Sequence, residues 1–204
     1  MNASSIRLLL AFSLIHITAA GSDSGGVDPS LAHSVILVIR HAEKPATGPD
    51  LTPEGQQRAT ASVKYFENYT VHSKPLHLDC LFAAQTSASS ARPVETVTPL
   101  SKALSLPIND RFPESAFAQL ATELESGRYA GKDILICWHH GKIPKLLKAL
   151  GLPGKKMFAG GKWPDDVFCW VVEIRYDKSG NPQIQIIDEN LLPGDSQKQP
   201  PPGA

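Results

Sequence analysis

Cysteine is scarce in this sequence: three in 204 residues, at Cys80, Cys137 and Cys169, all inside apolar runs. That number and spacing make neither a disulfide scaffold nor a zinc-ligand pattern, so buried thiols are expected. Net charge is absent as well, with 20 basic residues against 20 acidic ones. A chain so balanced has no bulk field for holding nucleic acid or an anionic membrane. Long apolar runs are also missing. The only early one, Leu8 to Ile17, follows Arg7 and falls short of the roughly 20 residues a bilayer span needs. Small residues Thr18-Ala19-Ala20 come next. This order of charge, apolar run and small residues reads as a signal peptide over residues 1–20, cut at Ala20/Gly21. It implies a secreted, lumenal or periplasmic protein with no membrane anchor after cleavage. Asn68-Tyr69-Thr70 is a glycosylation sequon if the export route is eukaryotic. No internal repeat occurs.

What remains, about 180 residues, suits one domain. Residues 21–33 open with Gly21-Ser22-Asp23-Ser24-Gly25-Gly26 and read as a flexible lead-in. Residues 193–204 end in Gln199-Pro200-Pro201-Pro202-Gly203-Ala204 and read as a disordered tail. The catalytic domain is therefore placed at residues 34–192.

Within it, apolar β-branched runs alternate with helical patterns. Residues 34–39, 78–83 and 133–138 read as strands covered on both faces. Thr52-Pro53-Glu54 is a helix start, with Thr as cap and Pro in the first turn. Further helices are expected over 93–104, 114–125 and 143–150, a short edge strand at 106–108, and a hairpin joining 168–176 to 183–188. The alternation predicts a three-layer α/β/α sandwich with a mostly parallel central sheet. Ligands of such sheets bind outside the carboxyl ends of the strands.

Three strand ends carry chemistry. The first runs into Arg40-His41, the third into His139-His140, and the loop after the second leads to Arg92. Two guanidinium forks and several imidazoles at one edge suit a phosphoryl group. Arg binds phosphate oxygens in charge-assisted pairs. A neutral imidazole can attack phosphorus and hold it covalently, while a second stabilises the transition state. His139 and His140 are adjacent, which is not the spacing of a helical zinc site, so no metal and no cofactor are expected. Adjacent side chains diverge at a strand end, so only one of the two is expected to be catalytic.

Four ordered elements resemble a known family. Arg40-His41-Ala42-Glu43 resembles the Arg-His-Gly/Ala-Glu signature of the histidine phosphatase (phosphoglycerate mutase-like) superfamily. Leu51-Thr52-Pro53-Glu54-Gly55-Gln56-Gln57-Arg58-Ala59 is similar to its Leu-Thr-x-x-Gly helix start, and Ala91-Arg92-Pro93-Val94-Glu95-Thr96 to the element carrying its second phosphate-binding Arg. His139-His140-Gly141 stands where the family keeps its second catalytic His.

The resemblance implies a phosphoglycerate mutase-like fold and a phosphoric monoester hydrolase of the histidine acid phosphatase type. It would act on a small phosphorylated substrate through a phosphohistidine on His41. Arg40 and Arg92 would bind phosphate. The second His would be His140 by comparison with relatives reading Trp-Glu-His-Gly-x-Ile-Pro, or His139 by comparison with those reading His-Ser-Asn-Thr-Val-Pro. The general acid would follow the third strand of the family's order, with Glu114 the first candidate and Asp110 the second. Two other readings use the same pocket: a mutase-like phosphotransferase, and an anion-binding module. Glu43 is expected either to hydrogen-bond to His41 or another site residue, or to lie in solvent. Trp163 is expected either to wall the site or, more simply, to pack.

Overall fold

The computed structural model describes residues 29–201. The expected signal peptide and most of the lead-in therefore lie outside the described residues. Twelve elements follow in order: β1 (Val35–Arg40), α1 (Pro53–Glu67), β2 (Thr70–Val71), β3 (Lys74–Pro75), β4 (Cys80–Ala84), α2 (Arg92–Leu104), β5 (Ile108–Phe112), α3 (Phe117–Leu124), β6 (Asp133–Trp138), α4 (Ile143–Ala149), β7 (Trp170–Tyr176) and β8 (Pro182–Asp188). Six strands form one sheet in the order β5-β4-β6-β1-β7-β8. The first four run parallel and the β7–β8 hairpin is antiparallel.

Strand alternation divides the core. In β1, Ile36 and Val38 join one apolar cluster with Leu120 and Leu124 of α3 and Leu146 and Leu147 of α4. Leu37 and Ile39 join the opposite cluster with Phe66 of α1 and Val97 and Leu100 of α2. Both faces of the sheet are thus covered, which is why β1 reads as an unbroken apolar run. The three-layer α/β/α architecture is the expected one.

Local signals account for most boundaries. Thr52 caps α1, its Oγ1 accepting the Gly55 N–H at 3.1 Å, and Pro53 fills the first turn. The edge strand begins at Ile108, later than expected, because Pro107 has no N–H to give a ladder. It continues through the polar Asn109, Asp110 and Arg111, which an edge tolerates. Helix α3 begins at Phe117 because residues 113–116 form a turn, Ala116 N–H donating to Pro113 O.

Cys80 pairs in register with Ile134, and Cys137 with Ala83, so the two thiols stand three residues apart on neighbouring strands. They also face opposite clusters, and all three cysteines are free.

The described parts of the lead-in and tail, residues 29–33 and 193–201, make specific contacts. Leu31 of the lead-in is buried in the core, and His33 N–H donates to Asp177 O at 3.1 Å. In the tail, Asp195 is 7 % exposed and hydrogen-bonds with Arg58 of α1, while Lys198 pairs with Asp166. The segment has too few apolar residues to show a packing pattern, yet a buried charged partner anchors it.

Candidate active site

Strands β1 and β6 end level, with Arg40 beside Trp138, and the residues beyond them meet. His41 is 1 % exposed. Its Nδ1 lies 2.7 Å from Ala42 O. A carbonyl oxygen only accepts, so Nδ1 carries the proton and Nε2 the lone pair. Burial pushes the His41 imidazole down to about 3, and the positive charges of Arg40 and Arg92 act in the same direction. His41 is therefore neutral over the physiological range.

Both members of the His pair reach it. The His41 ring lies 5.3 Å from that of His139 and 6.0 Å from that of His140. Strand β6 stops at Trp138, where the sequence places its end. The pair lies in a turn, where Lys142 and Ile143 N–H groups both donate to His139 O, and strand alternation no longer applies. Each His has a different acid. His140 Nδ1 is 3.2 Å from Arg40 Nη2, a donor only, so Nδ1 accepts and the Nε2 proton goes to Asp165 Oδ1 at 3.0 Å. Burial and the Arg40 charge push His140 down to about 4. His139 Nδ1 lies 3.3 Å from Glu114 Oε2, and burial lowers its pKa too.

The two arginines are anchored by the protein's own carbonyls. Arg40 Nη1 donates to Pro164, Asp165 and Val167 oxygens, and its guanidinium stacks 3.8 Å above the Phe168 ring. Burial lowers Arg40 to about 10, which still leaves it charged at neutral pH. Arg92 Nη1 donates to Gly48 and Pro49 oxygens at 2.9 and 3.0 Å. Each leaves its Nε–H buried with no hydrogen-bond partner among the described residues. Each Nε–H is an unpaired donor on a cationic fork, the kind of group an oxyanion satisfies.

Of the two acid candidates, Glu114 comes to the site, its backbone oxygen also accepting from Trp138 Nε1 at 3.2 Å. Asp110 does not. It is exposed in β5, two residues short of the strand end that Glu114 lies two residues past. Glu43 contacts neither His41 nor solvent. It turns to Arg58, accepting from Nε at 2.8 Å and Nη2 at 2.7 Å. Trp163 is wholly buried against Phe158 and Trp170, so packing is its role. Lys44 is exposed.

No family model matches the chain, and no curated protein sequence matches it. Solved structures do. The protein histidine phosphatase SixA, complexed with tungstate, superposes with a TM-score of 0.51 at 15 % identity, covering 76 % of this chain and 97 % of that one. A mutant phosphoserine phosphatase from Entamoeba histolytica, in complex with phosphoserine, gives a TM-score of 0.52 at 12 % identity, covering 78 % and 99 %. The chain shares the fold of these two phosphatases.

Within that fold, the motif residues beyond the His and Arg side chains act as braces. Thr96 Oγ1 accepts the Ala42 N–H at 2.9 Å and donates to Arg92 O at 2.8 Å, linking the loop after β1 to α2. Glu95 accepts the Leu51 N–H at 2.8 Å. Gly55 is required by close approach, since a Cβ there would stand 2.6 Å from Glu43 O. Sequence reasoning missed Asp165, the His140 partner, and the Arg58–Asp195 pair. The acids of Asp165-Asp166 were visible, but nothing local pointed them at a His 25 residues away.

Proposed function

We propose that this protein is a phosphatase that moves the phosphoryl group of a small phosphomonoester to His41 and then to water. The observation that carries this reading is the His41 tautomer: a buried, neutral imidazole with its Nδ1 proton tied to Ala42 O and its Nε2 lone pair free to attack. The lone pair forms the P–N bond as the ester P–O bond breaks. Water then attacks phosphorus, the P–N bond breaks, and the electron pair returns to Nε2. Arg40 and Arg92 hold the non-bridging oxygens with the donors their carbonyl contacts leave over.

His140 is assigned the charge-stabilising role. Its Nδ1 faces Arg40, and its far nitrogen is fixed by Asp165. A phosphate dianion entering beside Arg40 raises the imidazole pKa, so Nδ1 takes a proton and donates it as a hydrogen bond. The His139–Glu114 pair is assigned the proton transfers, protonating the departing oxygen and later accepting a proton from the attacking water. The ligands of the two similar structures support the assignment of phosphate chemistry: tungstate is a tetrahedral oxyanion, and phosphoserine is a small phosphomonoester. Export through residues 1–20 is part of the proposal, and sequencing the amino terminus of secreted material should read from Gly21.

The test is turnover of p-nitrophenyl phosphate by the purified protein beside His41→Ala. Turnover by the parent, lost in the variant, is expected, as is a phosphohistidine trapped by quenching into base and located by mass spectrometry. A parent that binds inorganic phosphate yet hydrolyses no phosphomonoester would instead make these His and Arg side chains an anion-binding site.

A further inference from the structure

A cavity of about 750 Å³ lies between the start of α3, α4 and the turn Gly154–Met157. Four lysines line it: Lys145 and Lys148 from α4, and Lys155 and Lys156 from the turn. Its apolar wall includes Phe117 and Pro144. The turn is pressed onto the helix at Gly154, which has φ +57° and where a Cβ would stand 2.7 Å from Pro144 O. The lysines are therefore carried by packed backbone, not by a loose loop.

None of the four pairs with a carboxylate among the described residues. In a chain with no net charge, four uncompensated cations around one cavity make a local positive field that a bound anion would relieve. Lys145 Nζ also lies 5.9 Å from the Phe117 ring, so charge and aromatic surface share one wall.

Two of the cavity's wall residues are near neighbours in sequence of the His139–Glu114 pair. Ile143 N–H donates to His139 O at 3.1 Å, and Pro144 is the next residue. Phe117 opens α3 three residues after Glu114, the acid that contacts His139. Two residues of the cavity wall, Pro144 and Phe117, thus follow closely along the chain the segments that hold the His139–Glu114 pair.

We propose that this cavity is a subsite for the part of the substrate beyond its reacting phosphate, and that this part carries further negative charge next to a ring or apolar segment. The inference rests on the phosphatase reading. Lys ammonium groups are mobile point charges suited to a second phosphate or carboxylate without fixed geometry. Phe117 and Pro144 offer a face for a ring, and the volume is that of a small-molecule site. Binding energy from such a remote group raises kcat/KM for the substrates that carry it.

The probes are a ribonucleoside bisphosphate, with separate phosphates on the two ribose ends, and the matching monophosphates. The quantity read is kcat/KM for the bisphosphate divided by that for the monophosphate. The parent should prefer the bisphosphate by about tenfold or more, as two to three ion pairs allow. The double variants Lys145→Glu/Lys148→Glu and Lys155→Glu/Lys156→Glu should each abolish the preference, while Lys145→Arg/Lys148→Arg should retain it. A parent with no preference, or a preference untouched by both charge reversals, overturns the subsite. Calorimetric binding of the bisphosphate to His41→Ala, with and without the lysine reversals, separates the two readings. If only the phosphatase reading is wrong, nothing turns over, yet the bisphosphate binds and the reversals weaken it. If only the subsite is wrong, turnover persists and the reversals change neither measurement.

Discussion

Arg58 of α1 grips Asp195 of the carboxyl-terminal segment in a buried ion pair. The same guanidinium holds Glu43, two residues past His41. Burial alone would push the Asp195 carboxyl up, but the Arg58 hydrogen bonds outweigh it and hold the group below the usual carboxylate range. One side chain therefore ties the tail, the first helix and the loop after β1 together.

Asp195→Asn should cost about 3 kcal/mol, the scale for breaking a buried pair and leaving its partner uncompensated. Urea unfolding measures it. Because Arg58 also positions Glu43, kcat should fall more than KM rises, even well below the melting temperature. A variant with parental stability and parental kcat would show that the tail is merely laid on the surface.

Gly55→Ala tests the close approach of α1 to the loop. The added Cβ meets backbone at 2.6 Å (Glu43 O) and 3.0 Å (Glu43 N), which no rotamer change relieves. A loss of about 1–3 kcal/mol is expected from overpacking, along with reduced turnover as Glu43 is displaced. Gly141→Ala is the comparison for stability, since nothing lies within 4 Å of its Cβ and it should unfold at close to the parental urea concentration.

The pH response of the nucleophile has a defined sign. His41 must be neutral to attack, and burial sets its folded pKa at about 3, so the acid limb of kcat/KM should lie far below the ordinary 6.5 of His. Stability behaves in the opposite sense. Unfolded chains take up the proton below about 6.5 while the folded site refuses it until about 3, so stability falls with falling pH across that window. The slope from one such group is up to about 1.4 kcal/mol per pH unit. His41→Gln should melt with a visibly shallower dependence between pH 6.5 and 4, and an unchanged slope would refute the buried neutral imidazole.

Glu189 carries the reverse linkage. Burial pushes its carboxyl up to about 8; Arg58 opposes the shift, and Asp195, Asp188 and Glu43 add to it. Its Oε1 is buried with no hydrogen-bond partner among the described residues. The folded protein keeps this proton while the unfolded chain loses it above about 4.5, so stability falls as pH rises toward 8. Glu189→Gln should raise Tm relative to the parent at pH 8 and make little difference at pH 5, measured by thermal melts in matched salt.

The sequence alone determined the elements and the reacting edge. The apolar run of β1 ending in Arg40-His41, the Thr52-Pro53 cap and the Arg92-Pro93 helix start express contacts within about four residues, and a linear pattern records those directly. Tertiary structure decided the partners. Asp165 reaches His140 across 25 residues and Asp195 reaches Arg58 across 137. His139 and His140 both come near His41 because the turn after β6 brings both rings to it. The lysines of the cavity meet because Gly154 folds their turn back onto α4. Such pairings depend on where the sheet and its helices bring distant segments together, and no local periodicity carries that information.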